Sequence, residues 1–318
     1  MTAKKKTDIP SIDGFDMLEQ LGTSSTSSVW KARQVSLDRP VILKVLSKHL
    51  SHDPHDIQEF EFEAKVTANL KHHGIVYILD FSKSKRDGSY YFVMEYVSGY
   101  SIGALLRKKG KLLELDSILI AISVAEALAY VWDKSNLVHC DIKPDNILVD
   151  NDGTVKVADL GLAQAVSTIE SEKTGAAEPF IMGTPNYISP EQVRGNVKLD
   201  YRTDIYALGM TLYHMVTGVL PFHDSDPSVV MRRQIGETLE HPQKLCPHLS
   251  NGVAKLILKM IQKDPAARYQ NWQEVLENLM QLLASLLKTH SKDKSVLPIL
   301  WQSYAAERLK SYKQKTKA

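Results

Sequence analysis

Hydrophobic and polar positions alternate over short spans in the first third of the chain and recur at helical spacing over most of the rest. Residues 41–46, 76–81 and 90–96 are runs rich in β-branched and aromatic side chains and predict strands, with one helical stretch near residues 59–70. Long helical patterns dominate from about Ser98 to Leu287. They are interrupted by short strand signals at residues 147–149 and 155–158, joined by the turn Asp150-Asn151-Asp152-Gly153. The pattern predicts an α+β chain in four segments: an N-terminal arm (1–14), a small, sheet-dominated unit with one main helix (15–97), a larger, mainly helical unit carrying a β-hairpin (98–287) and a basic tail (288–318). The sequence carries no internal repeat and no long low-complexity tract.

A chain of 318 residues that is 43% apolar buries a large core. With 39 basic against 37 acidic residues, a net charge of +2 gives no electrostatic case for nucleic acid as a main partner. Two cysteines, Cys140 and Cys246, make no disulfide framework and stand in no zinc-ligand spacing, which points to a reducing cytosol. Lys4, Lys5 and Lys6 are followed by no apolar stretch of the kind a secretory leader carries. The longest apolar-looking stretch, residues 112–132, is broken by Glu114, Asp116 and Glu126. Since a membrane span wants about 20 predominantly apolar residues, the expectation is a buried helix of a soluble core.

The densest chemistry lies in His139-Cys140-Asp141-Ile142-Lys143-Pro144-Asp145-Asn146, followed by Ile-Leu-Val and, 18 positions after Asp141, by Asp159-Leu160-Gly161. An isolated Asp or Asn means little, but this ordered set resembles the catalytic loop and metal-binding turn of protein kinases. Further matches are Val41-Ile42-Leu43-Lys44, Glu63 ahead of Leu70-Lys71-His72-His73-Gly74, and Tyr91 to Val97. Downstream come Gly183-Thr184-Pro185-Asn186-Tyr187-Ile188-Ser189-Pro190-Glu191, Asp204 to Gly209 and Asp264 to Arg268. The resemblance covers about residues 15–287 and is nearest to the eukaryotic-like serine/threonine kinases of bacteria; Lys143, two after Asp141, is the serine/threonine-type signature.

That resemblance implies the bilobal kinase fold and transfer of the γ-phosphoryl group of ATP, with Mg²⁺, onto hydroxyls of protein substrates. Phosphoryl transfer needs positioning and charge neutralisation more than covalent help from the protein. By resemblance, Asp141 orients the substrate hydroxyl and accepts its proton, Lys143 steadies the γ-phosphate, and Asn146 and Asp159 hold Mg²⁺. Lys44 meets the α- and β-phosphates and pairs with Glu63, leaving Glu59 and Glu61 on a solvated helix face. Nucleotide contacts are implied for Leu21, Gly22, Ser24, Ser27, Val29, Lys44, Met94, Glu95, Val97 and Leu148. Structural ties are implied between Arg268 and Glu191 and between Asp204 and the catalytic-loop backbone. His72 and His73 fall at a turn and are read as turn residues, not metal ligands.

The chain also departs from the family pattern. In Gly22-Thr23-Ser24-Ser25-Thr26-Ser27-Ser28-Val29, serine replaces two of the three glycines of the phosphate loop, which stiffens the loop or weakens phosphate contact unless the hydroxyls offset this by bonding to the phosphates. Ile42 replaces a small alanine two before the lysine, and together these changes predict weaker or slower use of ATP. Ser189 stands where alanine is usual. Cys140 replaces the arginine that in many kinases clamps a phosphorylated activation loop, and is read as a buried packing cysteine ahead of the alternative, a redox-sensitive thiol.

Residues 291–295 read as a linker, and residues 296–309 carry an amphipathic pattern with Leu297, Leu300, Trp301 and Tyr304 on one side, followed by lysines. Docking on the large lobe, binding a partner protein and touching an anionic membrane surface all remain open for it. An active protein kinase is the leading reading. A pseudokinase scaffold is the first alternative, disfavoured by retention of Lys44, Glu63, Asp141, Asn146 and Asp159 together. A small-molecule phosphotransferase of the aminoglycoside or choline type is disfavoured by the 189–191 and 264–268 motifs. With the arginine clamp absent, replacing Ser167, Thr168, Ser171 and Thr174 together by alanine is expected to change phosphotransfer only modestly. A large loss in a kinase assay of that variant contradicts this reading.

Overall fold

In the computed structural model, residues 9–160, 164–165, 183–195 and 198–289 are described. Gly161, the four candidate phosphoacceptors at 167, 168, 171 and 174, and the amphipathic tail pattern lie outside them. The chain divides into two compact units, one made of residues up to Lys71 together with Val76–Val97, the other of His72–Ile75 and the chain from Ser98 onward.

The smaller unit is built on an antiparallel sheet of β1 (Phe15–Thr23), β2 (Ser27–Gln34), β3 (Arg39–Leu46), β4 (Ile78–Lys83) and β5 (Tyr90–Glu95), in the order β1-β2-β3-β5-β4. Its strands have a period of two. Val41, Leu43 and Val45 of β3 bury into a cluster with Ile12, Trp30, Ala32, Tyr91 and Val93, which turns Ile42 and Lys44 to the opposite face. Helix α1 (Pro54–Ala68) starts five residues before the predicted stretch. Asp53 caps it by accepting from the His55 amide at 2.8 Å, and Pro54 supplies a preset first turn, so a capping signal outweighed the weak apolar periodicity. Phe60 of α1 packs on Phe92 with ring centroids 4.9 Å apart, and Phe92 stands opposite Lys44 in the sheet. Three residues on along the same helix face, Glu63 therefore arrives at Lys44.

The larger unit contains the short strand β6 (Tyr100–Ser101), α2 (Ile102–Lys109) and α3 (Glu114–Ser135). By length and composition α3 is apolar enough to cross a membrane, yet most of it is buried inside this unit, where it packs on α5 and α9. After α3 come β7 (Leu137–Val138), β8 (Ile147–Val149), β9 (Val155–Val157) and β10 (Gln164–Ala165). β8 pairs with both β6 and β9, β10 pairs with β7, and the β8–β9 turn is closed by Gly153 at φ +90°. The parallel bridge between Ile75 and Val157 ties the turn after α1 to this unit. In that turn His72 stacks on Tyr130 at 5.1 Å, and its Nδ1 accepts from the Gly74 amide at 3.1 Å. The helices that follow are α4 (Pro190–Arg194), α5 (Tyr201–Thr217), α6 (Pro227–Gly236), α7 (Pro242–Leu245), α8 (Asn251–Met260) and α9 (Trp272–Thr289).

Two buried acids anchor the loops of this unit. Arg268 donates from both terminal nitrogens to Glu191, at 2.6 and 2.7 Å, in a pair almost wholly removed from water. Asp204, in the first turn of α5, accepts from the His139 and Cys140 amides at 2.8 and 3.0 Å and so hangs the loop after β7 on the helix.

Because breaking a buried pair strands a charge, Arg268→Ala is expected to cost about 3–5 kcal/mol of unfolding free energy in urea titrations. A loss below about 1 kcal/mol would mean that Glu191 finds another partner. Burial raises the Asp204 carboxyl from its ordinary 3.8 to about 6, against the opposing pull of His139 and the two amide bonds. The folded chain therefore keeps this proton to higher pH than the unfolded chain does. The group's contribution is full below about pH 4 and is lost by about pH 6, a fall of about 3 kcal/mol. Urea unfolding across that window should show a slope that Asp204→Asn flattens; an identical slope in the variant would place its source elsewhere.

Candidate active site

In the smaller unit, Lys44 Nζ lies 2.7 Å from Glu63 Oε1 with both side chains about nine-tenths buried. Glu61 faces outward and pairs with Lys65 at 2.8 Å. Ile42 stands opposite Met94 in the sheet, on the same face as Lys44. Met94 is buried, Val97 and Val29 are half-buried and Leu21 is exposed. The Glu95 carboxylate accepts from the Tyr77 amide at 2.9 Å, fixing the end of β5.

Between β1 and β2 the serines of the phosphate loop bond to one another. The Ser24 amide donates to the Ser27 carbonyl at 2.8 Å, Ser24 Oγ accepts from the Ser27 amide at 3.0 Å, and the two hydroxyl oxygens are 3.3 Å apart. Gly22, on β1 opposite Val29, has open space where a side chain would stand.

In the larger unit, candidate residues gather around Asp141. Asp141 Oδ1 accepts from the Thr184 amide at 2.9 Å and the Thr184 hydroxyl at 2.7 Å; Oδ2 accepts from Lys143 at 2.7 Å and Asn146 Nδ2 at 3.1 Å. Lys143 also donates to Thr184 Oγ1 at 2.6 Å, so the threonine hydroxyl passes one hydrogen bond in and one out. Asn146 Nδ2 bonds the Asp141 carbonyl at 2.9 Å as well. The second acid, Asp159, follows β9 in a left-handed conformation, φ +57°. Just before it, the Ala158 amide donates to the Asn146 carbonyl at 2.9 Å, which ties the two candidate metal ligands through the backbone. Leu148 lies half-buried on β8.

Three residues without an assigned role hold this arrangement. The wholly buried His139 ring accepts from the Asp141 amide on Nδ1 at 3.3 Å and donates from Nε2 to the Ala158 carbonyl at 3.1 Å, a proton placement set by its partners. Thr184 is the second. The third is Gln192, whose amide donates to the Cys140 carbonyl at 2.9 Å and accepts from the Ser189 amide at 3.0 Å. Ser189, unusual at its position, accepts on its Oγ from the Gln192 main-chain amide at 3.3 Å and closes a capping box on α4. Cys140 is 2% exposed and sits at φ +67°, a costly conformation for a side-chain-bearing residue that Asp204 and Gln192 enforce from either side. For His139 and Thr184 the only sequence signal was membership of a recognised motif, and for Gln192 it was the Ser-x-x-Gln spacing.

The chain is 37% identical to a probable serine/threonine-protein kinase of Clostridium perfringens over 268 residues, 84% of this chain and 38% of that protein. It is 33% identical to the serine/threonine-protein kinase PrkC of Bacillus subtilis over 262 residues, 82% of this chain and 39% of that one. With the serine/threonine-protein kinase PknB of Mycobacterium tuberculosis it shares 32% over 272 residues, 85% of this chain and 43% of that one. The chain thus spans about two fifths of the length of these relatives. Residues 15–282, which take in Lys44, Glu63 and the whole cluster about Asp141, match the protein kinase domain, and the chain belongs to that family.

Proposed function

We propose that this chain transfers the γ-phosphoryl group of ATP to serine or threonine hydroxyls of a protein substrate in the cytoplasm. The observation that carries the reading is the Asp141 carboxylate, held by four hydrogen bonds from Thr184, Lys143 and Asn146. Such a group is fixed in place before a substrate arrives, and preorganisation of this kind is what phosphoryl transfer demands. In the proposed step the substrate hydroxyl oxygen forms a bond to the γ-phosphorus, the bond from that phosphorus to the β–γ bridging oxygen breaks and ADP leaves. Asp141 receives the hydroxyl proton. Lys143 donates to the oxygens of the moving phosphoryl group, and Lys44, steadied by Glu63, donates to the α- and β-phosphates. Leu21, Val29, Met94 and Leu148 are the proposed apolar partners of the adenine ring, with main-chain bonds from Glu95 and Val97.

Asn146 and Asp159 offer an amide oxygen and a carboxylate, the hard donors that suit a magnesium ion. Both Asn146 Nδ2 hydrogens go to Asp141, so the carbonyl oxygen is the atom that remains to meet a cation. Bound Mg²⁺ supplies charge neutralisation at the phosphate oxygens. A purely scaffolding role leaves the Asp141 cluster and the Lys44–Glu63 pair unexplained.

Labelled γ-phosphate transfer from ATP with Mg²⁺, to the chain itself and to a panel of protein substrates, is the test. Activity is expected to disappear, by at least about 10²-fold, in both Asp141→Asn and Asp159→Ala. No transfer by the folded parent chain across a wide ATP range would overturn the proposal in favour of a scaffold.

A further inference from the structure

Lys263 follows α8 in the larger unit and is partly exposed, and among the described residues no carboxylate meets it as a salt-bridge partner. Its Nζ donates to Tyr206 Oη at 3.0 Å and stands 4.8 Å from the centroid of the Phe222 ring and 5.5 Å from that of Tyr206. The Tyr206 ring also carries the Arg268 guanidinium, 4.8 Å from its centroid, so two cations share one aromatic side chain. The Tyr206 hydroxyl donates to Gln234 Oε1 at 2.6 Å, and Gln234 in turn donates to the Pro185 carbonyl at 2.9 Å. Tyr206 therefore offers the lysine a lone pair and no proton. Burial holds that hydroxyl well above its ordinary range, so it brings no negative charge either.

The acids of the neighbouring elements are engaged elsewhere. Glu191 is held by Arg268, Glu237 at the end of α6 lies 3.6 Å from Arg233 Nε, and Asp264, next in the chain, accepts from the Ala266 amide at 2.9 Å. Lys44 and Lys143, by contrast, each face a carboxylate at 2.7 Å. Burial first and the Arg268 charge second bring the Lys263 ammonium down from its ordinary 10.5 to about 8, and Glu237 offsets only part of this. A lysine withdrawn from water beside another cation is an activated nucleophile. At about pH 7.5 about a quarter of Lys263 is free amine, against about one in a thousand for a lysine at the ordinary value. A less basic amine also attacks more weakly, which trims the net advantage to about tenfold.

We propose that the Lys263 amine is an acyl-acceptor site, taking a small acyl group from an activated donor, either an acyl phosphate or an acyl thioester. In the step, the nitrogen lone pair attacks the acyl carbonyl carbon and a carbon–nitrogen bond forms. The bond from that carbon to the phosphate oxygen or thiol sulfur breaks, and the leaving group departs with the electron pair. The surplus proton on nitrogen passes to solvent, and a neutral amide remains. Nothing is oxidised or reduced. The bond to Tyr206 holds the amine in place without pairing its charge, and partial exposure admits a reagent of acetyl size. This chemistry does not depend on the kinase reading.

The test treats the whole chain with acetyl phosphate in one arm and acetyl-coenzyme A in the other, and follows the initial rate of acetylation at each lysine by mass spectrometry. Lys263 is expected to react about tenfold faster than the exposed Lys255 of α8 in at least one arm, and the responding arm identifies the donor. Its rate should rise with pH and level off above about pH 8, and its advantage should vanish in concentrated urea. A rate no greater than that of Lys255 in both arms would overturn the proposal. So would a rate that climbs without levelling to about pH 10, or an advantage that survives in urea and so belongs to the local sequence and not to the folded site.

Discussion

The Asp204 carboxylate supports everything else in the larger unit's site. It accepts two successive amides at His139 and Cys140, and those bonds hold Cys140 in a left-handed turn that places the next residue, Asp141, within reach of Lys143, Asn146 and Thr184. A backbone bend of this sort persists only when its surroundings over-determine it. Gln192 takes up the Cys140 carbonyl, and the His139 ring spans from the Asp141 amide to the carbonyl preceding Asp159. The loop's main-chain polar groups thereby become the fixed frame for two acids, Asp141 and Asp159. The cost is a carboxyl buried deeply enough that its pKa rises to about 6.

A different logic governs the smaller unit. There a sheet with period two and a helix with period 3.6 each bring one charged residue to the same place, Lys44 from β3 and Glu63 from α1, and the Phe60–Phe92 contact sets the helix at the right height. The serine-bonded loop between β1 and β2 is a local substitute for glycine. It gains hydrogen bonds within the turn and gives up the freedom that glycine would have left.

Much of this was legible in the sequence because its chemistry depends on order and spacing. Lys44 with Glu63, the Asp141 loop, the hairpin ahead of Asp159, the Arg268–Glu191 pair and the Asp204 contact all follow from motif residues that the fold brings together. What escaped depends on partners distant in the chain or on caps. Thr184 lies 43 residues beyond Asp141, and nothing local marks its hydroxyl as a bond to that carboxylate. Gln192 reads as an ordinary cap until its other amide atom is found on Cys140, 52 positions away. The early start of α1 was missed because Asp53 and Pro54 signal a helix through backbone chemistry and not through hydrophobic spacing. Strand β1 carries mostly polar, exposed residues, and β2 buries Trp30 and Ala32 on either side of the polar Lys31, so neither forms a continuous apolar run.

The central claim is that the hydrogen-bonded cluster about Asp141 is the working centre, and Thr184 tests it most directly, since its hydroxyl joins Asp141 to Lys143. The decisive measurement is the turnover rate at saturating ATP for Thr184→Val and Thr184→Ser, alongside nucleotide affinity. The account predicts that valine lowers turnover by about ten- to a hundredfold with ATP affinity unchanged, while serine keeps most of it. Full turnover in the valine variant would contradict it.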